Sequence, residues 1–109
     1  MKRYAAHYLY LPGCGYLKAY VTKVEIGKVV ELFPLTQEIE NTEWLPGVIG
    51  LFPEGINEKY ICLQEGEILK EVPQTYLPEI KQQLIPYLFY PFDFIKMKPV
   101  AETRHMRLL

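Results

Sequence analysis

Residues Arg3 to Leu11 constrain this chain more than any other stretch. Side chains alternate across an extended strand, so Tyr4, Ala6, Tyr8 and Tyr10 share one face while Ala5, His7, Leu9 and Leu11 share the other. Both faces are largely apolar, and a strand that must be covered on both sides belongs in the middle of a sheet. The chain is therefore read as β from its start.

The next segments are β as well. Pro12-Gly13-Cys14-Gly15 is a turn, because glycine admits positive φ and proline offers no ladder donor. A second strand is expected from Leu17 to Ile26, where Tyr20, Val21, Thr22 and Val24 favour extended backbone. Gly27 then sits between two β-rich runs, the pattern of a tight hairpin over Glu25 to Val30. Val29, Val30, Leu32 and Phe33 continue as a third strand that Pro34 ends. Thr36 to Thr42 is polar and acidic, a surface connection before a strand running through Trp44 to Ile49.

Size and charge narrow the function. With 109 residues the chain makes one domain, 1–109, with room for a real core but less than half the ~250 residues of a (β/α)8 barrel. Half of it is apolar and 14% aromatic, including nine tyrosines, which is a globular composition. Twelve basic and thirteen acidic side chains give a net charge of −1 and no electrostatic pull toward nucleic acid or anionic lipid. No run approaches the ~18 consecutive apolar residues of a membrane span. The apolar run after Met1-Lys2-Arg3 is too short, and too interrupted by His7 and tyrosines, to be expected as a leader. Cys14 and Cys62 have neither disulfide-framework nor metal-ligand spacing, so free thiols in a reducing, cytoplasmic setting are expected.

One longer pattern goes further. Leu45-Pro46-Gly47-Val48-Ile49-Gly50-Leu51-Phe52-Pro53-Glu54, taken with the strands before it and the turn Ile26-Gly27-Lys28-Val29-Val30, resembles the amino end of the amidohydrolase superfamily over Arg3 to Glu54. In that family a strand running through Pro-Gly-x-Ile-Asp-x-His-x-His opens a metal centre. Here Gly50 stands at the aspartate, and Phe52 and Glu54 stand at the two histidines. The resemblance implies the composite β-sandwich domain of those enzymes without its barrel. It also implies loss of the ligands that fix an ion while leaving a position open for water.

The carboxyl half is read from local signals. Lys59 to Leu63 and Glu67 to Val72 are expected as strands joined by a turn at Glu65-Gly66, with a last strand from Thr103 to Leu108. Thr75 suits a helix cap, and Leu77, Ile80, Leu84 and Leu88 repeat at helical spacing, so one helix is expected over 75–85. Pro86 should stop it. Tyr87 to Ile95 is then the most aromatic window of the chain. The expected fold is mainly β, a small sandwich or flattened barrel with that one helix.

No catalytic, metal or cofactor residues are expected. His7 and His105 have no accompanying nucleophile spacing, although folding could bring them to Glu31 or Glu102. Cys14 has only Lys18 nearby to lower its pKa. Lys96, Lys98, Arg104 and Arg107 form a mild basic end that a solvated face explains. Tyr87, Phe89, Tyr90, Phe92 and Phe94 are the candidate surface, since so many rings are hard to bury in so small a chain. The leading expectation is a non-catalytic structural or protein-interaction module that self-associates through these rings and an open sheet edge. The alternative is a small-molecule or peptide binding domain with an aromatic pocket. A residual hydrolase using Glu54 and a histidine is a third, weaker reading.

Overall fold

The computed structural model describes residues 2–11, 15–35, 41–55, 57–61, 63, 68–69, 84–96 and 98–108. Among them, eight strands form one sheet: β1 (Lys2–Leu11), β2 (Gly15–Lys18), β3 (Tyr20–Glu25), β4 (Lys28–Pro34), β5 (Thr42–Pro53), β6 (Ile68–Leu69), β7 (Leu84–Asp93) and β8 (Lys98–Arg107). The spatial order is β4-β3-β1-β5-β7-β8, with β2 beside β1 and β6 beside β2. The mainly β architecture expected from the sequence is present, and β1 is the interior strand its two apolar faces demand. It pairs antiparallel with β2 and β3 on one side and parallel with β5 on the other.

The second expected strand is two strands broken at Ala19, whose φ of 56° lies in the left-handed region. Register is kept across the break: Ala19 donates its N–H to the His7 carbonyl at 3.2 Å, between the pairs Ala5↔Val21 and Tyr8↔Lys18. What changes is the face. Tyr4, Ala6, Tyr20 and Val24 precede the break in the ribbon and Leu9, Leu11 and Leu17 come after it, yet all lie in one buried cluster. The kink absorbs the change of parity, so the aliphatic side stays inside as the ribbon bends. A register shift beside Val24 does the same for Val29 and Leu32 on β4. The hairpin between β3 and β4 turns on Ile26 and Gly27, both at positive φ (54° and 72°), the signature of the two-residue turn that matches strand twist.

Two apolar clusters lie on opposite faces of the sheet. One is aliphatic, built on Leu9, Leu11, Leu17, Val24, Ile49 and Leu51. The other is aromatic, built on Tyr10, Tyr16, Phe52, Phe89 and Phe92 with Val48, Ile61 and Leu63. Strand β4 touches β7 without pairing to it, and both contribute to the aliphatic cluster, so the sheet curls over that side. The Lys28–Glu54 ion pair at 3.2 Å fastens the β3–β4 hairpin to the end of β5. Leu108 closes the curl from below, with its side chain in the aliphatic cluster and its N–H on the Pro86 carbonyl at 2.9 Å. The aromatic cluster is left on the outside of the curl.

The carboxyl half departs from expectation. Leu84 and Ile85, assigned to a helix over 75–85, begin β7; Thr75 to Gln83 lie outside the described residues. Spacing of four is even, so Leu84 and Leu88 share a face in a strand as they would on a helix, and both pack on the aliphatic cluster. Pro86 is tolerated because of its parity. The Leu108–Pro86 bond makes Pro86, Leu88 and Tyr90 the residues that face β8. The missing donor therefore falls opposite Leu108, just past the end of β8, and removes nothing from the β5 ladder. The described residues of Lys59 to Leu63 are also not a strand: Glu58–Tyr60 is a 3-10 turn, held by Asn57 through Lys59 N–H at 3.1 Å and Tyr60 N–H at 2.9 Å. The expected Glu65-Gly66 turn lies outside the described residues, and of the strand at Glu67 to Val72 only Ile68–Leu69 is described. The last strand starts five residues earlier than expected, at Lys98.

Candidate interaction surface

Alternation along β7, with a register shift between Tyr90 and Phe92, splits the aromatic window. Phe89 and Phe92 are buried in the aromatic cluster, and Tyr87 and Phe94 pack at its margin. Tyr90 points to the other face and is 54% exposed. Of the five candidate residues, four are therefore drawn together and Tyr90 is not. The neighbouring rings run as a connected lattice at the ring separations of favourable aromatic pairs: Phe92 meets Tyr16 at 5.7 Å and Phe94 at 5.3 Å, both tilted, and Phe52 meets Tyr87 edge-on at 6.0 Å and Phe89 tilted at 5.9 Å.

Two glycines of β5 let β7 and its rings approach closely. A Cβ on Gly50 would lie 2.7 Å from Phe89 Cε1 and 2.9 Å from Phe52 Cε2. At Gly47, with φ +103°, it would strike the Phe89 carbonyl. The segment that resembles a hydrolase entry motif is thus occupied by packing: Gly50 admits rings, Phe52 is one of them, and Glu54 pairs with Lys28.

At one end the lattice reaches water. His7 packs edge-on against Trp44 at 5.2 Å and 89°, and against Phe94 at 5.0 Å; Phe94 also stacks on Tyr8 at 5.7 Å. Trp44 is 50% exposed, and Ile95, which follows Phe94 in the chain, is 95% exposed. The β7–β8 turn presents this end, and Asp93 shapes the turn by accepting the N–H groups of Ile95 at 2.9 Å and Lys96 at 3.0 Å. Those bonds, the Lys96 amide foremost, hold the Asp93 carboxyl below the ordinary carboxylate range.

The opposite end carries His105, which leans on Tyr87 and Phe89, each at 5.8 Å. An open cleft of about 190 Å³ lies there, lined by Ile61, Leu63, Phe89, Val100, Thr103 and His105 with Pro99. His7 and His105 thus sit at separate ends, on β1 and β8, with β5 and β7 between them in the sheet. Among the described residues no three His, Cys, Asp or Glu side chains converge; Cys14 and Cys62 lie outside them. The basic end maps to the β7–β8 turn and β8, which carry Lys96, Lys98, Arg104 and Arg107. Sequence reasoning missed the partnership of His7 and Trp44, which needs the parallel β1–β5 register to be seen. The one available signal was that the chain's single tryptophan opens a strand beside an acidic connection.

Comparison with protein-family models, with curated proteins and with solved structures finds no match. Among the described residues no helix is long and apolar enough to cross a membrane.

Proposed function

We propose that this chain is a non-catalytic protein-interaction module that self-associates through the exposed rim of its aromatic face, with Trp44 as the anchor. The observation that carries the reading is a half-exposed indole already pinned by His7, which in turn packs on Phe94. A ring ordered before docking loses little rotamer freedom on association, and tryptophan is among the residue types that dominate interface energetics. Ile95 extends the apolar rim beyond Phe94. The non-catalytic part draws support from Phe52 and Glu54, which have packing and ion-pair partners where the hydrolase resemblance would need metal ligands. The spacing of Cys14 and Cys62, which suits neither a disulfide framework nor a metal site, favours a reducing, cytoplasmic setting.

Sedimentation velocity tests this across a wide dilution series of wild type and Trp44→Arg. Wild type is expected as a concentration-dependent dimer and the variant as a folded monomer; a wild-type monomer throughout contradicts the reading. Binding of a small molecule in the cleft beside His105 is the second reading. Its volume of about 190 Å³ falls short of the roughly 300 Å³ at which ligand pockets begin, which favours self-association.

A further inference from the structure

Among the described residues, strand β8 ends the sheet and its outer edge is open. The Leu108–Pro86 hydrogen bond fixes which main-chain groups are spent on β7. By the alternation of an antiparallel ladder, Leu108, Met106 and Arg104 face Pro86, Leu88 and Tyr90, so His105 and Arg107 turn their N–H and C=O groups outward. All four residues from Arg104 to Arg107 are exposed. Among the described residues no strand pairs with this side, and no carboxylate among them lies within ion-pair distance of either arginine.

We propose that this edge accepts an acidic, extended peptide as an added strand. Main-chain bonds to His105 and Arg107 would hold it, the mode in which a sheet edge recognises extended segments. Charge selects the occupant. Arg104, His105 and Arg107 lie within four residues with no acidic side chain among them, so a second copy of β8 laid antiparallel here sets basic side chains against each other, which destabilises cross-strand pairing. Glutamate or aspartate opposite Arg104 and Arg107 reverses the sign. Between them, the guest positions opposite His105 and Met106 call for apolar side chains. The first of these leans toward the cleft walled by Ile61, Leu63, Phe89 and Val100, which holds one aliphatic side chain but not a drug-sized ligand. The preferred guest thus reads acidic, apolar, apolar, acidic. This surface belongs to β8, whereas the self-association surface centres on Trp44 of β5.

The test uses the full chain and a fluorescein-labelled peptide in which two glutamates flank two valines, followed by anisotropy at low salt. Three control peptides replace both glutamates with lysine, N-methylate the edge-facing amides, or replace the valines with serine. The glutamate–valine peptide is expected to bind and all three controls to bind more weakly. Arg104→Glu and Arg107→Glu should each weaken it roughly threefold to fivefold, as exposed charge pairs do, and the double variant should come to prefer the lysine peptide. Amide exchange at His105 and Arg107 should slow on binding. Because the rim is separate, Trp44→Arg should leave peptide affinity unchanged. Equal binding of the lysine or N-methylated peptide, no binding at millimolar concentration, or loss of binding in Trp44→Arg would overturn the proposal. So would protection of the His105 and Arg107 amides in the concentrated chain without peptide, since a second copy would then hold the edge.

Discussion

Both faces of the sheet carry a buried cluster, the aliphatic one the larger, and the two are closed differently. The aliphatic side is sealed by the chain's own curl: β4 approaches β7, the Lys28–Glu54 pair fastens the hairpin, and Leu108 fills the gap. The aromatic side lies outside the curl and thins at its ends, where Trp44, Phe94 and His105 meet solvent. Curvature explains the division of residue types. Compact branched side chains fill the crowded inside of a bend, whereas flat rings tile a convex surface and still find ring partners, tilted or edge-on. One face is finished as a core; the other is finished only at its centre, and its rim meets solvent, which is what the proposed self-association would cover.

The neighbours Leu51 and Phe52 test this contrast most severely, since they sit one residue apart on opposite faces. Leu51→Ala empties part of the sealed core and is expected to cost about 3–5 kcal/mol in urea unfolding. A loss well under 2 kcal/mol, about the low end for such deletions, would mean the aliphatic side is not tightly closed. Gly50→Ala adds a methyl between the Phe89 and Phe52 rings and should cost about 1–3 kcal/mol. No change there would mean that the aromatic centre is loosely packed. At the rim, Phe94→Ala should cost only about 1 kcal/mol, because the ring is already part-exposed. An effect as large as that of Leu51→Ala would erase the distinction between centre and rim. Lys28→Ala removes an ion pair whose partners are each about two-fifths exposed and should cost under about 1 kcal/mol.

The smallest effect carries a pH signature. The lowered Asp93 pKa means that its carboxylate favours the folded state above the unfolded-state pKa, and that this contribution fades as pH falls through the folded one. Asp93→Asn should therefore differ from wild type at neutral pH and converge with it in acid. Urea midpoints measured at both conditions check it; a constant difference would detach the β7–β8 turn from the carboxylate's charge.

Much of the fold was readable in the residues. The two-sided apolar pattern of β1 placed it inside the sheet, and Gly27 marked a hairpin, because both signals are local. The parity switches at Ala19 and Val24 were not readable, since nothing in an alanine or valine announces a positive φ or a bulge. Leu84 and Leu88 misled because an interval of four satisfies both periodicities, and Pro86 because its tolerance depends on which neighbour its amide would face. The candidate site was half legible. Composition identified the aromatic window, but only alternation on β7 separates buried Phe89 from exposed Tyr90, only the irregularity after Tyr90 returns Phe92 to the Phe89 side, and only strand register brings Trp44 and His7 to Phe94.

Trp44 is the only tryptophan in the chain, so its emission reports on the rim alone. As the wild-type chain is concentrated from the nanomolar to the high micromolar range, the emission maximum is expected to move to shorter wavelength in step with the rise in sedimentation coefficient. An emission maximum that stays fixed and solvent-exposed at every concentration would contradict association through the aromatic rim.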